Sequence, residues 1–188
     1  MTPAGAVEPV PVKIVVAGGF GVGKTTFVGS VSEIEPLTTE AVMTDRSLGV
    51  DDLSAVRGKA TTTVAMDFGR RSFDDGLILY LFGTPGQDRF AFMWDDITTG
   101  AVGAVVLFDT RRLGDGFGAV DFFEDRGVPF VAAINLFDDA PRHGEEALRE
   151  ALALAPDVPL VLCDARRGDS VVPVLVRLVE HALDRATA

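Results

Sequence analysis

The chain has 188 residues, about the length of one domain, and 47% of them are hydrophobic, which is enough for a sizeable core. Its formal net charge of −11 disfavours general nucleic-acid binding and a polybasic membrane anchor, because both need a positive surface. The longest apolar stretch, 101–108, is far too short to cross a bilayer, and the single cysteine suits a reducing compartment, so we expect a cytoplasmic protein that reaches a membrane only through a partner.

Hydrophobic patterning predicts six strands and four helices, and the order of elements adds a fifth helix, in the segment between the strands at 77–82 and 101–108. The predicted elements, in chain order, are a strand at 12–17, a helix at 25–31, strands at 61–68 and 77–82 joined as a hairpin, a strand at 101–108, a helix at 115–126, a strand at 128–134, a helix at 145–154, a strand at 158–163 and a helix at 169–184. The continuous apolar runs are typical of strands buried on both faces of a parallel sheet. Residues 33–60 lack a clear period, which predicts a long connection.

This alternation of strands and helices predicts a three-layer α/β domain. We expect one domain, 12–188, behind a flexible leader, 1–11, that contains three prolines. Its sheet is predicted to be mostly parallel and six-stranded, with one antiparallel edge strand.

Residues 18–25, GGFGVGKT, match the phosphate-binding pattern G-x-x-x-x-G-K-[ST]. Glycines let backbone N–H groups close around phosphate oxygens, and the helix that follows presents its positive N-terminus. We expect Lys24 to reach the β- and γ-phosphates and the Thr25 hydroxyl to bind Mg²⁺. The preceding strand and the following helix favour this interpretation over a chance glycine-rich turn. The nucleotide-binding residues expected here are Gly19, Phe20, Gly21, Val22, Gly23, Lys24, Thr25 and Thr26.

Three further segments follow predicted strands and resemble motifs of Ras-like small GTPases. The segment GTPGQD (83–88) resembles D-T-A-G-Q-E, NLFD (135–138) resembles N-K-x-D, and CDA (163–165) resembles the S-A-K loop. All lie at strand carboxyl ends, where open α/β sheets bind ligands. Together with TVAMDF (63–68), they make residues 12–183 similar to MglA-like GTPases. More narrowly, the chain resembles the GTPases encoded in actinomycete conservon operons, whose usual regulators are roadblock-fold proteins.

The resemblance implies a guanine site. Guanine offers N1–H and N2–H₂ donors side by side, which the Asp138 carboxylate can accept together, whereas adenine would leave that carboxylate unpaired. Asn135 would tie this loop to the base and to the phosphate-binding loop, and the N–H of Ala165 would bond guanine O6. The other residues expected around the base are Leu136, Asp164 and Arg166. The alternative interpretation of Asn135 and Asp138 is an ordinary loop of turn-forming residues.

The resemblance also implies hydrolysis of GTP by water, with Mg²⁺ as cofactor. Gly86 would bond the γ-phosphate through its N–H, Gln87 would orient the attacking water, and Lys24 would relieve the developing charge. Both switch segments, roughly 33–63 and 83–96, would be ordered by γ-phosphate contacts and released on hydrolysis.

Thr63 is the switch threonine that we favour as the residue that binds Mg²⁺ and senses the γ-phosphate. Thr61 and Thr62 are competing candidates, and β-propensity alone would explain three threonines in a row. Family members often place an arginine just before this threonine. Here Arg57 and Arg89 are the arginines expected to move in.

Four positions depart from the family pattern. Gly83 stands at the Asp of D-x-x-G, and Asp67 on the neighbouring strand is expected to replace it as a metal ligand, unless it is only a polar strand-end residue. Leu136 replaces the Lys that lies along the base. Phe20 puts a bulky ring where many relatives are small, and Thr62 stands where MglA-like proteins often carry arginine. We therefore expect slow intrinsic hydrolysis.

The sequence thus predicts a GTP/GDP-binding regulatory switch with weak GTPase activity. Two alternatives stay open: a P-loop ATPase or kinase, which would need an arginine-bearing lid, and a module that holds nucleotide without hydrolysing it. Phe90, Phe92, Met93 and Trp94 suit either a partner interface or packing of a helix on the sheet.

Overall fold

A computed structural model gives the fold and describes residues 9–43, 62–73, 76–86 and 92–187. The strands are Val10–Gly18 (β1), Leu37–Met43 (β2), Thr62–Ser72 (β3), Leu77–Gly83 (β4), Gly103–Phe108 (β5), Phe130–Asn135 (β6) and Leu160–Cys163 (β7). The α-helices in the same ranges are Lys24–Val31 (α1), Trp94–Thr98 (α2), Phe117–Asp125 (α3), Glu145–Ala151 (α4) and Gly168–Thr187 (α5). None of the described helices is both long and apolar enough to cross a membrane.

One sheet with the strand order β2-β3-β4-β1-β5-β6-β7 organises the fold. Strands β4, β1, β5, β6 and β7 run parallel, and β3 is antiparallel to both of its neighbours. The predicted α/β class, with a mostly parallel sheet and one antiparallel strand, is therefore confirmed. The sheet has one strand more than the six predicted, and its antiparallel strand lies second from the edge.

The additional strand, β2, lies within the segment that was predicted to be a connection. Its sequence, LTTEAVM, mixes polar and apolar residues without alternation, and it pairs with β3 at the edge of the sheet. Its signal is therefore weak, because apolar periodicity is the main sequence signal of a strand. The rest of that connection, 44–61, lies outside the described residues.

The central strands are buried on both faces, which explains their unbroken apolar sequences. Ile14 of β1 packs with Phe27 of α1 in one apolar cluster, and Val15 packs with Phe123 of α3 in the cluster on the opposite face. All four side chains are fully buried. The sheet is thus the middle layer between two layers of helices, as predicted.

Parallel pairing brings the carboxyl ends of β1, β4, β5, β6 and β7 to one edge of the sheet. The loops after these strands therefore leave the molecule on the same side. Although β3 runs the other way, its register pairs Asp67 with Gly83 at the end of β4, so Asp67 reaches this edge as well. The candidate functional residues gather there.

Candidate functional site

The loop between β1 and α1 turns sharply at Gly23, which begins the helix. Gly23 has a φ of 104°, in the left-handed region that favours glycine. A Cβ atom there would lie 2.6 Å from Nδ2 of Asn135. The position is therefore restricted to glycine both by its backbone angle and by the closeness of the loop after β6.

The ammonium group of Lys24 lies within this loop. Its Nζ donates hydrogen bonds to the carbonyl oxygens of Gly18 and Gly19, at 2.8 and 2.7 Å. The residue is only 8% exposed, and this burial lowers the pKa of Lys24 to about 8, although the nearby Asp67 carboxylate acts in the opposite direction. Binding of an anion would stabilise this buried cation strongly, because burial of an incompletely compensated charge is costly in free energy.

A carboxylate reaches the same loop from β3. The hydroxyl of Thr25 donates a hydrogen bond of 2.6 Å to Oδ2 of Asp67, which is 8% exposed. A Cβ at Gly83 would lie 3.1 Å from that same oxygen, so Asp67 fills the room that a side chain at position 83 would need. The structure therefore brings together two of the three residues predicted to hold a metal.

These groups line a cavity of about 330 Å³. Its walls include Phe20, Lys24, Thr25, Thr26, Asp67, Thr84 and Gly86. The ring of Phe20 is 66% exposed, so it stands out from the loop that closes around the cavity. Thr84, which the sequence did not single out, has a buried hydroxyl that finds no hydrogen-bond partner among the described residues.

Asn135, at the end of β6, connects three loops. Its Nδ2 donates to the carbonyl oxygen of Val22 at 2.9 Å, and its Oδ1 accepts from the N–H of Ala165 at 3.0 Å. The predicted connection between the base loop and the phosphate-binding loop is therefore present. Because the Ala165 N–H is already engaged, a bond from it to guanine O6 would have to share this hydrogen, and that contact stays a prediction.

Asp138 lies at the surface three residues further on, and its carboxylate is paired. Arg166 donates two hydrogen bonds of 3.0 Å to it, one to each oxygen, and also contacts Asp164. The Arg166 guanidinium holds the pKa of Asp138 below its usual value and lowers that of Asp164 to about 2. Both carboxylates are thus charged at neutral pH.

A second cavity, of about 310 Å³, lies beside Asn135 and Asp138. Its walls are formed by Gly23, Thr26, Asn135, Leu136, Phe137, Asp138, Asp139, Asp164, Ala165 and Arg166. Gly23 and Thr26 also line the first cavity, so the two cavities share a wall at the start of α1.

Two adjacent arginines after β5 support these loops and were missed by the sequence analysis. Arg111 donates hydrogen bonds to the buried Asp109 and to Asp139, and its guanidinium lies 4.3 Å from the ring centre of Phe137. Arg112 donates a 3.1 Å hydrogen bond to the carbonyl oxygen of Phe20. The available signal was an Arg-Arg pair that two residues separate from the end of a predicted strand, at the ligand-binding edge.

Several predicted residues lie outside the described part of the chain. They are Gln87, Thr61, Arg57, Arg89 and Phe90. The backbone of Thr63 pairs with that of Val42 between β3 and β2, but its side chain is not among those described. The catalytic assignments of Gln87 and Thr63 therefore stay predictions.

The aromatic residues near α2 divide between the two interpretations. Trp94 is 6% exposed and packs edge-on against Phe122, with ring centres 5.3 Å apart. Met93 packs partly against the same cluster, whereas Phe92 is 58% exposed. Packing on the core explains the first two residues, and of the three that the structure describes, Phe92 is the one exposed to a partner.

Comparison with known sequences yields one family and two relatives. The profile of a family described as conserved hypothetical ATP-binding protein (ATP_bind_1) matches residues 16–185. An uncharacterized protein of Methanocaldococcus jannaschii is 30% identical over 129 residues, which cover 68% of this chain and 71% of that protein. The human Ras-related protein Rab-7b is 25% identical over 188 aligned positions, which cover 95% of this chain and 85% of Rab-7b.

Solved structures of the cytosolic domain of the T. maritima FeoB iron transporter share the fold. Its GDP form I matches with a TM-score of 0.65 at 15% identity, covering 94% of this chain and 65% of that one. The GMPPNP form gives 0.64 at 17% identity, with 91% and 64% covered. The chain thus spans slightly less than two thirds of the FeoB chains. The fold is that of a small GTPase-like P-loop domain.

Proposed function

The chain belongs to the family of conserved hypothetical ATP-binding proteins, and we propose that this member binds guanine nucleotides as a regulatory switch and hydrolyses GTP slowly. The observation that carries this proposal is the pair of cavities joined at Gly23 and Thr26. One is built around a buried lysine and the other beside a carboxylate. A nucleotide has the same order of groups, with an anionic tail at one end and a hydrogen-bonding base at the other.

The phosphate end is proposed to work through the backbone and Lys24. The loop N–H groups and the N-terminus of α1 favour an anion. In the structure, the Lys24 ammonium bonds two loop carbonyl oxygens. Transfer of those hydrogen bonds to β- and γ-phosphate oxygens would pair the buried cation with an anion, which strengthens them.

The base end favours guanine over adenine. Asp138 offers two acceptor oxygens side by side, which match the N1–H and N2–H₂ donors of guanine. Asn135 is buried and fixes this loop against the phosphate-binding loop. The sequence similarity to Rab-7b and the fold shared with FeoB in its GDP and GMPPNP forms support guanine, although the family description names ATP.

The residues at the phosphate end fit a hydrated Mg²⁺ ion. Thr25 and Asp67 would supply the oxygen ligands that Mg²⁺ prefers, and the Thr84 hydroxyl, without a partner among the described residues, lines the same cavity. Thr63 is proposed as a further ligand. When bound, the ion would neutralise charge that develops on the phosphates.

Hydrolysis is proposed to depend on Gln87 and Gly86, which would orient the attacking water and bond the γ-phosphate. Gly86 lines the phosphate-side cavity. We propose that intrinsic hydrolysis, without a partner, is slow, because the exposed Phe20 ring stands at this cavity where an arginine would approach and because position 62 carries threonine instead of arginine.

The regulatory part of the proposal rests on the resemblance to MglA-like and conservon-encoded GTPases. It implies a roadblock-fold regulator as partner, and the single cysteine supports the proposed cytoplasmic location. The exposed Phe92, within the proposed switch II, is the aromatic anchor that we assign to such a contact.

Calorimetric titration with GDP and with ADP tests the proposal. Lys24→Ala is expected to weaken GDP binding more than about 100-fold, and Asp138→Ala about 10- to 100-fold, from the loss of two charge-assisted hydrogen bonds. Neither change is expected to create tight ADP binding.

Asp139→Ala is the matched control, because Asp139 is the adjacent exposed carboxylate in the same cavity but pairs with Arg111. Its GDP affinity is expected to stay within about twofold of the wild type. Tight ATP binding whose affinity is unchanged in Asp138→Ala would favour the ATPase or kinase alternative. Tight GDP binding without any GTP cleavage in a single-turnover assay would favour the holding module.

A further inference from the structure

Asp138, the residue proposed to read the base, is engaged on both of its acceptor oxygens. Nη1 of Arg166 donates to Oδ2 and Nη2 donates to Oδ1, each at 3.0 Å. This is the two-bond arrangement in which a planar guanidinium matches a carboxylate. The edge of Asp138 that a base would use is therefore covered by a side chain of the same protein.

Arg166 is itself held in place by a second carboxylate. Its Nε and Nη2 donate to the two oxygens of Asp164 at 2.9 and 2.8 Å, and its backbone N–H donates to Oδ1 of Asp164 at 3.0 Å. The N–H of Asp164 donates in turn to the hydroxyl of Ser170, which belongs to α5. The guanidinium is thus anchored to the loop after β7 independently of any ligand.

The donors of guanine and those of arginine have the same form. Both present two parallel N–H groups in one plane, and both bind the same in-plane edge of a carboxylate. A single carboxylate cannot accept both pairs on that edge at once. Guanine would therefore have to displace the guanidinium of Arg166 from Asp138.

We propose that Arg166 competes with the guanine base for Asp138, and so determines how tightly and for how long guanine nucleotide is held. This inference rests on the proposed function. Adenine lacks the paired donors and gains nothing by displacing Arg166. The competition therefore acts on guanine nucleotides and leaves adenine nucleotides unaffected.

The exposure of the pair sets the size of the expected effect. The side chains of Arg166 and Asp138 are 56% and 82% exposed, and exposed ion pairs contribute little to stability. Removal of the competitor is therefore expected to raise GDP affinity about fivefold. The gain is expected both in faster association, because Asp138 is no longer covered in the free protein, and in slower release of GDP, because no arginine returns to Asp138.

Binding and release of a fluorescent GDP test this inference in Arg166→Ala and Arg166→Lys. Arg166→Ala is expected to bind GDP about fivefold more tightly. Arg166→Lys keeps the charge but loses the two-bond geometry, so its affinity is expected to lie between those of Arg166→Ala and the wild type. Thermal melting of both variants verifies that they are folded.

Arg167→Ala is the matched control, since Arg167 is the next residue, carries the same charge and pairs with Asp169 instead of Asp138. It removes one positive charge near the anionic ligand, so its GDP affinity is expected to be unchanged or slightly lower. A GDP affinity of Arg166→Ala at or below that of Arg167→Ala would overturn the inference, because Arg166 would then support the base.

The dependence on Asp138 gives a second measurement. Asn at position 138 offers one acceptor and one donor, which suit the N1–H and C2 carbonyl of xanthine but cannot accept two bonds from arginine. In the Asp138→Asn background, Arg166→Ala is expected to leave the affinity for xanthosine diphosphate unchanged, and a fivefold change there would contradict competition at this carboxylate. Absence of GDP binding by the wild-type chain would overturn the proposed function together with this inference, whereas normal GDP binding that is insensitive to Arg166 overturns the inference alone.

Discussion

The two ends of the cleft are built differently. At the phosphate end, Lys24 and Asp67 are each 8% exposed and the backbone packs closely, whereas at the base end the side chains of Asp138 and Arg166 are 82% and 56% exposed. Buried groups that bond one another fix a geometry strongly, and exposed ion pairs fix it weakly. Of the residues that the structure describes, those at the phosphate end therefore form the rigid part of the cleft, and those at the base end form the adjustable part.

The positions that depart from the family pattern, Gly83 and Leu136, lie at opposite ends of the cleft and have different surroundings. At the phosphate end, the loss of an acidic residue at Gly83 is matched by Asp67 on the adjacent strand, which fills the same room. At the base end, Leu136 replaces a lysine, and the positive charges near Asp138 come from Arg142 on the same loop and Arg166 on the loop after β7. The buried departure is thus matched by one residue in direct contact, whereas the exposed one lies among surface charges.

The largest expected effect comes from Gly23→Ala, at the rigid end. The new Cβ would lie 2.6 Å from Nδ2 of Asn135 on a backbone with a φ of 104°. Relief of that overlap would move both loops, so GDP affinity is expected to fall more than about 100-fold, as measured by calorimetry. Gly100→Ala is the control for backbone strain alone, since Gly100 has a φ of 75° and open space around it; it is expected to cost about 1 kcal/mol of stability and no affinity.

An intermediate effect is expected at Asp67. Mg²⁺ is expected to slow GDP release from the wild type, because Asp67 helps to hold the ion. In Asp67→Ala, the ratio of the release rates in EDTA and in Mg²⁺ is expected to be smaller by about 10-fold or more. The measurement compares release of a fluorescent GDP in Mg²⁺ and in EDTA. An unchanged ratio in Asp67→Ala would contradict the metal role.

The matched variants test whether Asp67 stands in for the residue missing at position 83. Gly83→Asp alone would place two carboxylates against each other and is expected to lower stability. In the double variant Asp67→Ala/Gly83→Asp, the effect of Mg²⁺ on GDP release is expected to return at least in part.

The smallest expected effect belongs to the adjustable end. Leu136→Lys puts a cation beside the base and is expected to tighten GDP binding about two- to fivefold, as cation–π contacts at exposed sites do. Leu136→Met is the control, because it keeps an apolar side chain of similar length. Equal GDP affinities of the two variants in calorimetry would mean that the loss of lysine at position 136 does not weaken binding of the base.

The parts of the fold and site that could be predicted are those with a local signal. The phosphate-binding loop combines glycines, a lysine and a threonine within eight residues, so its pattern is complete in the sequence. The buried strands β5 and β6 have continuous apolar sequences. In contrast, β2 is an edge strand with mixed polarity, and its pairing with β3 could not be predicted.

The residues that were missed depend on contacts between distant parts of the chain. Arg112 bonds a carbonyl oxygen 92 residues away, and no local pattern indicates such a partner. The hydroxyl of Thr84 becomes notable only because it is buried with no hydrogen-bond partner in the described part of the chain. Asp67 was predicted as a replacement for the acidic residue at position 83, but its placement depends on the register between β3 and β4, which the sequence does not specify.

Gly23 and Thr26 form a wall that the two cavities share, and this has a consequence for ligands smaller than a nucleotide. A base and a pyrophosphate joined by a sugar arrive as one molecule, so binding of the first part raises the effective concentration of the second to about the millimolar range. Guanosine and pyrophosphate supplied as separate molecules lack this tethering. Cleavage of the ligand between its two ends would therefore empty the cleft, even with every contacting residue intact.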